Sequence, residues 1–195
     1  MEQRAVMEIS TVDERVIEAC QRGDREAFRL LFEAHKDRVY SIAIHFFNGN
    51  ETSARDAAQQ VFLKLMTRME QFRRDAEFTT WLYRLTVNAC IDEQRKWRRF
   101  IPFGDGSRLS EGLGKSQEER YARIEMADAV RAAIAELKPK MRMAVLLKYV
   151  EGLSYDEIAA ALNCSKGTVA SRLNRGHRIL ARKLGHLRGA SVTRG

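Results

Sequence analysis

Between Lys166 and Arg178 the chain places Lys166, Thr168, Ser171, Arg172, Asn174, Arg175 and Arg178, a set of hydrogen-bonding groups and cations without a carboxylate among them. Such groups are poorly suited to moving protons or attacking carbonyls at neutral pH, but they hold phosphates and read base edges. At about 100° per residue, Thr168, Ser171, Arg175, Arg178 and Arg182 share one helical face, with Arg172 and Asn174 on its flanks. Val169, Leu173, Leu180 and Leu184 form the opposing apolar stripe. A helix built this way packs on one side and offers small polar and cationic groups to the major groove on the other. From Lys166 to Gly195 every charged side chain is Lys or Arg, whereas an ordinary solvated helix mixes signs.

The residues before this helix must position it. Ser154 suits an N-cap, Glu157 completes a capping box with it, and Leu153 and Ile158 occupy the hydrophobic-staple positions. A helix from that cap should end near Leu162, because Asn163 tolerates the left-handed conformation of a sharp exit. Ser165 then caps the basic helix. Two capped helices across so short a turn predict a helix-turn-helix.

The 195 residues allow one domain or two small ones, and the net charge of +8 favours a polyanionic partner. No window is long and apolar enough for a membrane span, and the N-terminus lacks the pattern of a secretory signal. Cys20, Cys90 and Cys164 are widely spaced, which argues for reduced thiols in a cytoplasmic protein rather than a disulfide framework or zinc site. Only two prolines and few β-branched runs point to an all-α chain.

In order, the periodicity predicts a short helix from Val12 to Cys20, stopped by Gly23, after a frayed start. A longer helix capped by Asp24 follows, with Phe28, Leu31, Phe32, Val39, Ile42, Ala43 and Phe46 inward. Beyond the turn Asn48-Gly49-Asn50, Ser53 is the expected cap of a helix burying Ala57, Val61, Phe62, Leu65 and Met66. A further helix begins after Ala76-Glu77-Phe78-Thr79 and runs into the cluster Arg95, Lys96, Arg98 and Arg99. Residues 1–100 thus form a first helical domain, and the Gly- and Ser-containing stretch 101–116 a flexible linker. Residues 117–188 form a second bundle, with Pro139 in the first turn of one helix and Gly152 stopping it before the helix-turn-helix; 189–195 is a tail. The fold class is all-α, two small helical domains joined by that linker.

The first domain carries its own candidate interface. Phe78, Thr80, Trp81, Arg84 and Asn88 lead into Arg95, Lys96, Arg98 and Arg99, combining aromatic faces for unpaired bases with cations for phosphates. Trp81, at helical spacing with Leu82 and Leu85, reads first as a core residue, so the basic cluster is the stronger part of the signal.

The order of these pieces resembles a bacterial RNA polymerase sigma factor of the extracytoplasmic-function (ECF) group. The resemblance rests on Gly23 to Phe28, Ala54 to Leu63, Phe78 to Asp92, and Gly152 to Leu173 with Gly167-Thr168-Val169 and Ser171-Arg172-Leu173. It implies that Asp56, Gln59, Gln60, Phe62 and Leu63 dock on the clamp helices of the polymerase largest subunit, with the flap as a further contact. It implies that the loop from about Thr67 to Phe78 and the helix after it open the promoter and capture a flipped minus-ten base. It also implies a linker threaded towards the polymerase active centre, and a last helix that reads the minus-thirty-five element. There Ser171, Asn174 and Arg175 would face bases, and Arg172 and Arg178 phosphates. An anti-sigma partner is a further implication, and no cofactor is. The chain departs from the pattern at Arg55 and Gln60, where acids are usual, and at Ala170, Gly176 and His177.

The competing class is a stand-alone helix-turn-helix regulator, which would need an effector domain in the first half, where no alternating strand-helix pattern is present. An enzyme is the poorer reading. His35, His45, His177 and His186 show no metal-ligand spacing, and no nucleophile elbow or Gly-rich phosphate loop is present. His35 and His45 read as helix-surface or boundary residues, His177 as a packing residue, and Cys90 and Cys164 as small core hydrophobes.

Overall fold

The computed structural model describes residues 14–73, 77–100 and 118–185, and the side chains of all of these except 98–100 and 118–125. The expected frayed start, the linker 101–116, the side chains of Arg98 and Arg99, His186 and the tail 189–195 lie outside the described residues. Within them every regular element is helical: α1 Glu14–Gln21, α2 Arg25–Phe46, α3 Glu51–Arg68, a 3-10 turn Met69–Gln71, α4 Phe78–Phe100, α5 Glu118–Ala135, α6 Pro139–Tyr149, α7 Tyr155–Ala161 and α8 Lys166–Lys183.

Local chemistry sets these boundaries. Gly23, at φ +84°, ends α1, and the Asp24 carboxylate accepts from the Glu26 and Ala27 amides to start α2. Asn48 at φ +54° and Gly49 at φ +83° reverse the chain after α2. The next cap is Asn50, which accepts from Ser53 N at 2.9 Å; Ser53 itself is buried inside α3. The expectation of Ser53 as the cap is therefore corrected. The two left-handed residues turn the chain so tightly that the first available cap side chain starts the helix.

Two apolar cores follow, and both use α2 and α4. The first gathers Ile17, Leu31, Val39, Val61, Leu65, Met69 and Phe72 with Phe78, Leu82, Leu85 and Ala89 of α4. The second takes Ile42, Ala43 and Phe46 from the far half of α2 and Tyr83, Val87, Cys90 and Ile91 from the other face of α4. It joins them to Leu137, Met143, Leu147, Leu153, Ile158, Val169 and Leu173 of the C-terminal helices. At 1.5 Å per residue the 22-residue α2 is about 33 Å long, enough to serve both cores.

Two further expectations change. His35 is only 2% exposed, with its ring 5.5 Å from that of Phe78, so it is a core residue and not a boundary one. Met66, expected inward, is 56% exposed. It stands one residue after Leu65, which takes the buried position at the end of the α3 stripe.

Candidate nucleic-acid interface

The helix-turn-helix is fixed at each joint. Ser154 and Glu157 form the reciprocal capping box, with Glu157 Oε2 accepting from Ser154 N at 2.7 Å and Ser154 Oγ from Glu157 N at 3.2 Å. Those bonds favour the ionised carboxyl and lower the Glu157 pKa. Asn163 takes φ +46°, and Ser165 Oγ accepts from Thr168 N to open α8. Val169 and Leu173 are buried under α8, while Leu180 and Leu184 are partly covered.

Gly176 has a reason that the sequence alone does not show. A Cβ there would stand 3.1 Å from Val145 Cγ2 and 3.5 Å from Met141 Cγ, so α6 and α8 approach through the missing side chain. Next to it, the partly buried His177 places Nε2 2.7 Å from the hydroxyl of the exposed Tyr149, with the rings 5.6 Å apart.

This packing leaves Lys166, Ser171, Asn174, Arg175 and Arg178 exposed on the outer side of α8, with Arg172 and Thr168 partly buried. Ser171 Oγ donates to Gly167 O at 2.9 Å and so remains an acceptor towards the outside. The Arg172 guanidinium leans on Cys164 Sγ at 3.3 Å, and Thr168 Oγ1 pairs with Ser165 Oγ at 2.9 Å. Lys166 contacts Asp156 at 2.8 Å across the turn.

The α4 residues divide differently. Asn88, Arg95 and Lys96 are exposed, although Arg95 lies 3.6 Å from Asp92 and Lys96 3.0 Å from Glu93. Thr80 is partly buried. Trp81 sits between Phe72, at 5.2 Å, and Phe78, at 6.1 Å, and Phe78 itself is 7% exposed. Phe78 is therefore placed beneath this surface and not on it. The Arg84 guanidinium is turned towards the C-terminal helices, donating to Ala160 O through Nη2 at 3.1 Å and Nε at 3.3 Å.

On α3, Asp56, Gln59 and Leu63 are exposed and Gln60 is partly so. Phe62 is buried edge-on against Phe32 with ring centroids 4.7 Å apart, so it supports the surface from below. Phe28, Phe32, Tyr40, Leu63 and Met66 line an apolar groove of about 520 Å³ beside these residues. Among the described residues no cluster of His, Cys, Asp or Glu is arranged to hold a metal ion, and no helix is long and apolar enough to cross a membrane.

Sequence reasoning missed Arg142, whose side chain is buried and donates to Phe46 O at 2.7 Å and Leu137 O at 3.2 Å, and also to Ala135 O. One signal was available: a lone cation inside the apolar run Met141 to Leu147. It missed Tyr83, Glu151 and Arg38 as well. Glu151 Oε2 accepts from the Tyr83 hydroxyl at 3.0 Å and faces Arg38 Nε at 3.5 Å. Burial, and then the Glu151 carboxylate, raise the Tyr83 pKa, so its proton stays in that bond.

Known proteins match both halves. The family Sigma-70 region 2 matches residues 31–100, and Sigma-70, region 4 matches residues 127–180. The ECF RNA polymerase sigma factor SigW of Bacillus subtilis is 31% identical, covering 86% of this chain and 94% of its own. The ECF RNA polymerase sigma-E factor of Escherichia coli is 32% identical over 88% of this chain and 94% of its own. Among solved structures, the sigma factor RpoE of Bartonella quintana in complex with the anti-sigma factor NepR shares the fold. Its TM-score is 0.63 at 21% identity, covering 81% of this chain and 96% of that one. The front half that a stand-alone regulator would use as an effector domain is thus the half that matches region 2.

Proposed function

The chain belongs to the ECF group of the sigma-70 family of RNA polymerase sigma factors, and on that footing we propose how its surfaces divide the work of promoter-specific initiation. Residues up to 100 form the unit that grips core polymerase and separates strands; residues 117–188 form the unit that reads the upstream element. In the front unit, Asp56, Gln59, Gln60 and Leu63 contact the clamp helices, with Phe62 holding Leu63 in place. Thr80, Trp81, Arg84, Asn88, Arg95, Lys96, Arg98 and Arg99, braced by Phe78, engage the minus-ten strand. In the rear unit, Ser171, Asn174 and Arg175 read base edges of the minus-thirty-five element, while Lys166, Thr168, Arg172 and Arg178 hold the backbone. The chain has no catalytic role of its own. It acts in the cytoplasm, where an anti-sigma factor holds it until it is required.

The observation that carries this reading is the outer side of α8, where exposed Ser171, Asn174, Arg175 and Arg178 stand on a helix whose own sequence contains no carboxylate. The test mixes the purified chain with core polymerase and with promoter DNA, separately and together. Tight binding to core, weak binding to DNA alone and promoter-specific transcription from the mixture are expected. In the reconstituted enzyme Arg175→Ala should relax discrimination at one upstream base pair by about 1–3 kcal/mol. Tight, specific binding to DNA without polymerase, or unchanged promoter choice in that variant, overturns the assignment.

A further inference from the structure

Resting on the reading of α8 as the helix that enters the upstream element, we infer that Tyr149 and His177 together form an uncharged phosphate-binding site. It holds the DNA strand along the flank of α8 opposite Arg172. A helix with its side chains is about 10–12 Å across and the major groove is about 12 Å wide, so both flanks of a reader helix meet a backbone. At about 100° per residue, Thr168 and Arg172 lie on one flank, and Lys166, Ala170, Asn174, His177 and Ala181 on the other. The first flank has a guanidinium for its strand. On the second the cation is Lys166, which Asp156 already engages at 2.8 Å. Donors without charge must serve the rest of that flank.

His177 follows Lys166 along that flank by about three turns, roughly 17 Å of helix axis. Its Nε2 is 2.7 Å from the Tyr149 hydroxyl, and Tyr149 is 64% exposed at the end of α6. Each arrangement of protons in that bond leaves one donor over. If the hydroxyl donates to Nε2, the ring proton is on Nδ1; if Nε2–H donates to the hydroxyl oxygen, the hydroxyl hydrogen is free to turn outward. Neither ring nitrogen of His177 is buried without a partner, and a spare donor on the flank of a DNA-facing helix suits a phosphate oxygen. Gly176 makes the pair possible. Met141, Val145 and Tyr149 recur every four residues and form one ridge of α6. That ridge passes Gly176 with Val145 Cγ2 3.1 Å and Met141 Cγ 3.5 Å from where a Cβ would sit, which brings Tyr149 up to His177. The departures at Gly176 and His177 thus serve one arrangement, a close pair of helices and a hydrogen-bonded pair of rings.

The experiment assembles the full chain with core polymerase and measures its affinity for a promoter fragment over a salt series, at pH 8 where imidazole is uncharged. Tyr149→Phe should weaken binding about tenfold at every salt concentration. The slope of log K against log salt should stay unchanged in that variant, because no cation is lost. His177→Arg should steepen the slope by about 0.9, the value for one further phosphate neutralised. Single methylphosphonate substitutions through the upstream element should reveal one position where the wild type loses affinity and Tyr149→Phe loses no more, a coupling that a merely structural role would not produce. An equal penalty for Tyr149→Phe at every phosphate, or an unchanged slope in His177→Arg, overturns the site. So does a loss of core affinity in Tyr149→Phe, which would give the pair to a protein contact instead. Arg175→Ala, measured alongside, tests the underlying reading: unchanged promoter choice there removes α8 from the upstream element whatever Tyr149→Phe does.

Discussion

His35 carries the most direct pH prediction. It is buried beside Phe78, and burial, with Arg38 nearby, lowers its pKa to about 4. The folded chain therefore refuses a proton that the unfolded chain accepts below its ordinary pKa near 6.5. Stability contributed by the neutral ring is complete above that value and is lost as pH falls towards 4. Urea denaturation at pH 7.5 and pH 5 should show a loss on the order of 2 kcal/mol in the wild type, and a smaller loss in His35→Gln; equal losses would show that this ring is not the group responsible. The sequence did not reveal His35, because a histidine within a helix stripe looks the same whether its neighbours cover it or not. Gly176 shows the same limit from the other side. Its cost in a helix interior is evident from the sequence, about 1 kcal/mol against Ala, but its reason is Val145 on another helix, 3.1 Å from where a Cβ would sit.

Helix boundaries in the helix-turn-helix were legible because each is set by bonds within a few residues of chain. The Ser154 capping box, the left-handed Asn163 and the Ser165 cap all follow from residue type and spacing alone. At α3 the same logic failed by three residues, since Asn50 and Ser53 both offer a cap and only the tight turn at Asn48 and Gly49 decides between them. The capping box also yields a prediction for α7. Ser154→Ala removes the acceptor for Glu157 N and should cost about 1 kcal/mol in chemical denaturation. Ser154→Asp should recover most of it. Because the Glu157 side chain would still reach Ser154 N, a loss far beyond that range would mean that Ser154 does more than cap α7.

For the whole molecule, the helical class and the order of the two units were legible in the sequence, but the shared core was not. The two faces of α4, Phe78-Leu82-Leu85-Ala89 and Tyr83-Val87-Cys90-Ile91, both read as buried, and periodicity cannot say that the second meets α6 and α7. The α3 surface is the converse case, an apolar surface that the fold leaves uncovered. Leu63 and Met66 are 43% and 56% exposed beside the groove lined by Phe28 and Phe32, with Asp56 two turns before Leu63 on α3. Exposed apolar groups beside a charge suit a protein contact, the charge guiding encounter and the apolar groups supplying adhesion. Arg55 is engaged by Glu51 at 2.6 Å, which reduces its opposition to Asp56 on this surface. Asp56→Arg should therefore weaken binding to core polymerase about tenfold at low salt, and Leu63→Glu more strongly and with less dependence on salt. Both side chains are outside the cores, so thermal unfolding should change little in either variant. Normal polymerase affinity in both would move the docking surface away from α3, whereas a lost unfolding transition would show that these residues support the fold instead.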